Sequence, residues 1–238
     1  MIPANVMDTI NRIKKEIEKP ATLFETGGFQ PENKITESWI GRVFAYGADE
    51  GIPEDSSGIP MLPLVQFYLP ILPFVPEQVK GIRLLTVFMA EQIPDILAES
   101  GDNYVIREYR HKEDIIIKEL ENPNSPLKPF PLQAFLAMDD CPLWDGGGLE
   151  PRLEEEIFQL EKSGAIESYY DITVQHYGTK IGGYPSFCQS GINFGEGFEF
   201  IFQVASDPKA NLTILDGGSF MFARNAATGI WRLYYDTF

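Results

Sequence analysis

The chain has 238 residues, 44% hydrophobic and 23% charged, enough for one large domain or two closely packed halves. Nineteen basic residues against 35 acidic ones give a net charge of −16, with no cluster of Lys and Arg. Phosphate backbones and anionic membranes attract clustered cations, so no nucleic acid and no membrane are expected as partners.

Asn5 to Lys19 reads as a helix: Val6, Ile10, Ile13 and Ile17 form one apolar stripe, and Pro20 stops it. The opening residues lack the apolar core of a signal peptide, and Cys141 and Cys188 are too few for a disulfide scaffold. A cytoplasmic location is therefore expected. Gly27 to Glu37 reads as loop, Ser38 to Phe44 as a short strand, and Gly47 to Gly58 as an acidic loop. The most apolar stretch, Ile59 to Pro76, holds five prolines, which rules it out as a spanning helix. Within it, Met61 to Leu69 has the look of a buried strand, its prolines suggesting edge or terminal positions. Pro76 to Gly81 is a turn, Ile82 to Met89 a strand buried on both faces, and Pro94 to Gly101 a helical turn. Tyr104 to Tyr109 alternates as a half-exposed strand should, Ile115 to Ile117 fits either helix or strand, and Asn122 to Pro131 is a connection. Pro151 to Ser163 is a second helix with Leu153, Ile157 and Leu160 inward and Gly164 beyond its end. Four more strands follow: Ile172 to His176, Phe198 to Ala205, Gly218 to Ala223 and Ile230 to Tyr235.

Two stretches run in parallel order. Ile181-Gly182-Gly183, a strand carrying Gln203, then Gly218 and an aromatic strand follow one another. Ile40-Gly41, a strand carrying Gln66, then Gly81 and Leu84 to Met89 repeat that order. A buried strand glutamine needs partners for its amide, and its recurrence suggests that it ties a loop to the sheet. The expected fold is α+β: one globular domain of two related halves, about 1–130 and 131–238, with antiparallel sheets packed against a few helices.

Lys180-Ile181-Gly182-Gly183-Tyr184-Pro185 followed by Gln189 resembles the signature of the YwqG-like family, a large family of proteins of unknown function. So do Gln203 with Ser206-Asp207, Asp216-Gly217-Gly218 before an aromatic strand, and the closing Trp231…Tyr235-Asp236-Thr237-Phe238. Ile214-Leu215 stand where that family often has Trp-Gly, so no role of that tryptophan carries over. The N-terminal copy lacks the lysine and the second glycine. The resemblance implies an internally duplicated α+β fold with no established activity. Some relatives look like immunity partners in bacterial toxin systems, which is a binding role.

Reactive constellations are thin. His176 precedes Cys188 by twelve residues with Asp171 nearby, but Cys188 sits among Phe187, Ile192 and Phe194, as a buried inert thiol would. His111 and His176 are far apart, and Asp139-Asp140-Cys141 has no metal-ligand spacing, so neither a metal nor a cofactor is expected. Asp145-Gly146-Gly147-Gly148 lacks the Gly-Lys-Ser/Thr that closes on phosphate. Two readings remain. The first is a non-enzymatic cytoplasmic protein-binding module, an immunity-type partner of a basic toxin, offering the acidic loops Asp49 to Asp55 and Asp139 to Asp145 with Trp144. The second is a small-molecule-binding or hydrolytic protein with a site between the halves. Trp144, Asp145, His176, Tyr177, Lys180, Gln66 and Gln203 are the candidate binding residues.

Overall fold

A computed structural model describes residues 4–101 and 103–237; the terminal Phe238 of the closing motif lies outside the described residues. Helix α1 (Ala4–Ile17) turns its Ile10, Ile13 and Ile17 inward, and helix α2 (Pro151–Lys162) turns in Leu153, Ile157 and Leu160. Both periodicities are single-faced, which is why the sequence located them. The helices pack chiefly on each other, with Cys141, Ile166, Tyr169 and Ile172 filling their joint core. Arg12 with Glu156, and Arg152 with Glu16, pair across the exposed side of this contact.

Twelve strands are present among the described residues: β1 (Lys19–Thr26), β2 (Trp39–Ile40), β3 (Ala45–Tyr46), β4 (Leu62–Tyr68), β5 (Leu84–Met89), β6 (Tyr104–Tyr109), β7 (Ile116–Ile117), β8 (Phe130–Asp140), β9 (Lys180–Gly182), β10 (Phe198–Ala205), β11 (Ser219–Asn225) and β12 (Trp231–Tyr235). Ten form one antiparallel sheet in the order β12-β11-β10-β9-β1-β8-β2-β4-β5-β6, while β3 and β7 pair separately. The α+β class with few helices therefore stands.

The order is symmetric about its centre. β9 to β12 flank β1 as β2, β4, β5 and β6 flank β8. The two glutamines occupy matching registers: Gln66 faces Trp39 and Gln203 faces Lys180, the residues just before Ile40-Gly41 and Ile181-Gly182. Gly41 and Gly182 both adopt positive φ (71° and 83°), where a side chain would be strained. The central strands are exchanged with respect to sequence, since β1 lies beside β9 and β8 beside β2.

The two flanks face each other across one core. Phe67 of β4 meets Phe202 of β10 edge-on at 5.5 Å, and Phe202 stacks on Phe222 at 4.5 Å. Offset and edge-on contacts of this kind add to simple burial. The sheet's ends also meet. Leu97 N–H donates to the Leu233 carbonyl, Leu233 N–H to that of Ala98, and Glu99 bridges Arg232. Residues 94–101 thus run beside β12 rather than forming a helical turn.

Several other readings need correction. Ile172 to His176 is not a strand; Val174 makes one isolated bridge to Asp140. Neither β1 nor β8 was legible, although they form the middle of the sheet. β4 is an interior strand; its Pro63 is tolerated next to a register shift between Pro63 and Val65.

Burial keeps many phenols neutral. Tyr46 and Tyr184 are pushed up to about 12, and Tyr104, Tyr109 and Tyr169 are raised further, with burial the main cause in each. A folded-state value above the unfolded one means stability is intact below pH 10 and is lost as pH rises through 10 toward 12. Tyrosinate absorbance should accordingly show at least these five of the ten tyrosines ionising only with cooperative unfolding. Smooth titration of all ten near pH 10, with circular dichroism unchanged, would contradict this burial.

Candidate functional site

Two of the predicted residues, His176 and Lys180, meet at the Asp140 end of β8. Asp140 is fully buried there, and every partner it has is a donor. Its Oδ1 accepts the His176 N–H at 3.0 Å, and its Oδ2 accepts Lys180 Nζ and the Tyr184 N–H, both at 2.8 Å. Lys180 is 1% exposed. Burial pushes its ammonium down from the ordinary lysine range, and the Asp140 charge pulls it back up. Gly183 completes the motif, because a Cβ there would lie 2.0 Å from Asp140 Oδ2. The Lys-Ile-Gly-Gly-Tyr run therefore serves a buried ion pair.

Gln203 continues the same structure. Its Oε1 accepts the Ser186 N–H, and its Nε2 donates to the carbonyls of Tyr177 and Gly178. In the other flank Gln66 Oε1 accepts the N–H groups of Phe44 and Ala45, while its Nε2 donates to the Glu37 carbonyl. Each glutamine ties a loop to its sheet. Gln66, Gln203 and Lys180 are thereby corrected as binding residues: they are buried and their polar atoms are engaged internally.

Trp144 is half-buried and packs on Tyr169 at 5.3 Å, in the core between the helices, so it is not an anchor offered to a partner. Asp145 is exposed but fixed, its Oδ2 accepting from Ser190 Oγ at 3.1 Å. The supposed acidic loop from Asp139 begins on β8, with Asp140 inside the protein. Of the seven candidates, Asp145, His176 and Tyr177 remain at the surface: His176 Nε2 lies 3.0 Å from Asp139 Oδ1, and the Tyr177 side chain is free on its outer side.

The neighbouring surface was missed. On β8, Phe135, Leu136 and Met138 are 40%, 51% and 61% exposed, and Val174 and Tyr177 beside them are 40% and 50% exposed. A shallow cleft of about 300 Å³ runs between Leu23, Phe135, His176 and Tyr177. β8 pairs with β1 from Leu132 to Asp140 but with β2 only at Phe130 and Pro131. Among the described residues, Gln133 to Asp139 thus have a strand on one side only. The available signal was Phe135-Leu136-Ala137-Met138, an apolar run whose lack of alternation marks a strand apolar on both faces.

The thiols are not poised for chemistry. Cys188 is pushed up to about 11 by burial and by the Asp236 carboxylate, whose Oδ2 also accepts the Cys188 N–H at 2.8 Å; burial holds Cys141 at about 11 too. Iodoacetamide labelling, read by mass, should be slow for both at neutral pH and accelerate toward pH 11. A rate that levels off below about pH 8 for either thiol would reveal an activated thiolate instead. Among the described residues no three His, Cys, Asp or Glu side chains converge as metal ligands, and no helix is long and apolar enough to cross a membrane. The sequence matches no family model and no curated protein.

Proposed function

We propose that this chain is a non-enzymatic cytoplasmic protein-binding module that captures a basic protein, as an immunity protein captures a toxin. One observation carries the reading: an exposed apolar strip of Phe135, Leu136, Met138, Val174 and Tyr177 on a chain of net charge −16. Contiguous apolar surface in a charged surround is the ordinary composition of a recognition site. The acidic field supplies attraction and rate for a cationic partner. The resemblance to the YwqG-like family agrees with a binding role. An internal duplication, supported by the symmetric strand order and the matched glutamines, would account for the two similar flanks. The small-molecule alternative loses support, because Lys180 and both glutamines are engaged inside the protein.

The test is capture from a lysate of the source organism on the immobilised chain. A basic protein should be retained, and its retention should fall as NaCl rises from about 50 mM to about 0.5 M. Expressed alone, that protein should arrest growth, and co-expression of this chain should relieve the arrest. Recovery of no basic protein, or salt-insensitive capture, would sink the proposal.

A further inference from the structure

We infer that the outer edge of β8 is a strand acceptor, on which an extended segment of the basic partner pairs its backbone with Gln133 to Asp139. The inference rests on the protein-binding reading and adds the mode of binding and the kind of segment bound.

Three observations converge on this edge. First, seven residues lack a neighbour on one side, about 20 Å of strand at roughly 3.3 Å per residue. Such edges are usually blunted by lysine, proline, a bulge or a covering loop. Gln133-Ala134-Phe135-Leu136-Ala137-Met138-Asp139 contains neither Lys nor Pro, and its register shift against β1 falls between Ala137 and Asp140, leaving Gln133 to Ala137 in regular pairing. Second, large apolar side chains stand open on both faces of the strand, Phe135 on one and Leu136 on the other, with Met138 exposed at the register shift. A strand added alongside would cover both sets at once, whereas a partner lying on one face would cover one. Third, the apolar middle is bracketed by acids: Asp139 at one end, its Oδ1 3.0 Å from His176 Nε2, and at the other Glu25, which faces Gln133 in register. Lys209, beside the Glu25 end, donates to the Thr26 carbonyl.

These features define the ligand as an extended segment with β-branched or apolar residues in the middle and Lys or Arg about six positions apart. Main-chain pairing supplies affinity in this mode and the flanking side chains supply selectivity. A second copy fits less well, because pairing β8 with itself would bring together two chains of charge −16.

The probe is a synthetic peptide, Lys-Thr-Val-Thr-Val-Thr-Lys, titrated into the isotope-labelled full chain and followed by amide NMR. Shifts and slowed amide exchange should concentrate at Gln133 to Asp139. The same peptide N-methylated at alternate backbone amides should bind at least about tenfold more weakly, as should a version with glutamate at both ends. The Leu136→Lys/Met138→Lys variant changes only well-exposed side chains and should keep its circular dichroism while losing the peptide. Shifts mapping elsewhere, or equal binding by the N-methylated peptide, would overturn strand addition. So would a dimer in sedimentation that this variant dissociates, since the edge would then belong to a second copy. A captured basic protein that binds wild type and variant equally would remove the edge inference and leave the proposed function standing. Peptide seated on β8 with no basic partner captured would do the reverse.

Discussion

Replacing Lys180 with methionine is expected to lower the stability of this protein by about 3 kcal/mol, and replacing Asp140 with alanine by about 5 kcal/mol, both within the range for breaking a buried ion pair. The ranking follows from what each change leaves behind. Without Lys180, Asp140 still accepts the backbone N–H groups of His176 and Tyr184, so its charge keeps partial compensation. Without Asp140, the ammonium of a residue 1% exposed loses its counter-charge, and two backbone donors are orphaned with it. Asp140→Asn should resemble the alanine change more than its shape suggests. All three partners are donors, and an amide offers one acceptor oxygen where the carboxylate offers two. Equilibrium unfolding in guanidinium chloride measures each loss. A penalty below about 1 kcal/mol for both changes would show that the pair is not buried as described. The Leu136→Lys/Met138→Lys variant should stay near wild type in the same experiment, because its side chains are already in water. That contrast separates what holds the β8 end in place from what the edge presents.

Legibility in the sequence followed the range of the forces involved. α1, α2, β5 and β10 each bury a face or a whole strand, so their own residues announce them; the predicted limits of Phe198 to Ala205 coincide with β10. The glutamines were legible by recurrence, and a loop-tying role followed from the rule that a buried amide must be satisfied. β1 and β8 were not. Each is completed by a partner more than a hundred residues away, and β8 exposes apolar residues that patterning expects to be buried. Asp140 was hidden for a related reason. An acidic doublet before a Gly-rich turn reads as solvated unless its lysine, forty residues on, is known to fold back. Lys180 was legible as a candidate binding residue, yet its role, like that of Gly183, is that of a buried support. The candidate interface is what remains once such supports are subtracted.

Glu108→Ala is expected to cost about 3 kcal/mol and to loosen the seam where the sheet's two ends meet. Glu108 stands on β6, one end strand, and accepts from two elements of the other end. Arg224 Nε on β11 lies 2.7 Å from its Oε1, and Trp231 Nε1 on β12 lies 2.8 Å from the same oxygen. Arg224 is nearly enclosed, its side chain 6% exposed against 18% for Glu108, so the alanine variant strands a guanidinium with the Gln78 carbonyl as its remaining acceptor. The penalty falls at the low end of the range for broken buried pairs because water can reach the carboxylate side. Glu108→Gln should lie between the variants, about 1.5 kcal/mol down, since its amide oxygen can still receive one donor while its NH₂ opposes the guanidinium. Hydrogen exchange adds a positional readout. Opening at the seam should speed exchange in β6 and β12 well before β1, which is paired on both sides at the opposite, central part of the sheet. Equal acceleration everywhere would mean that Glu108 acts only on global unfolding, and a loss under about 0.5 kcal/mol would mean that the seam is held by the backbone contacts of Leu97, Ala98 and Leu233 instead.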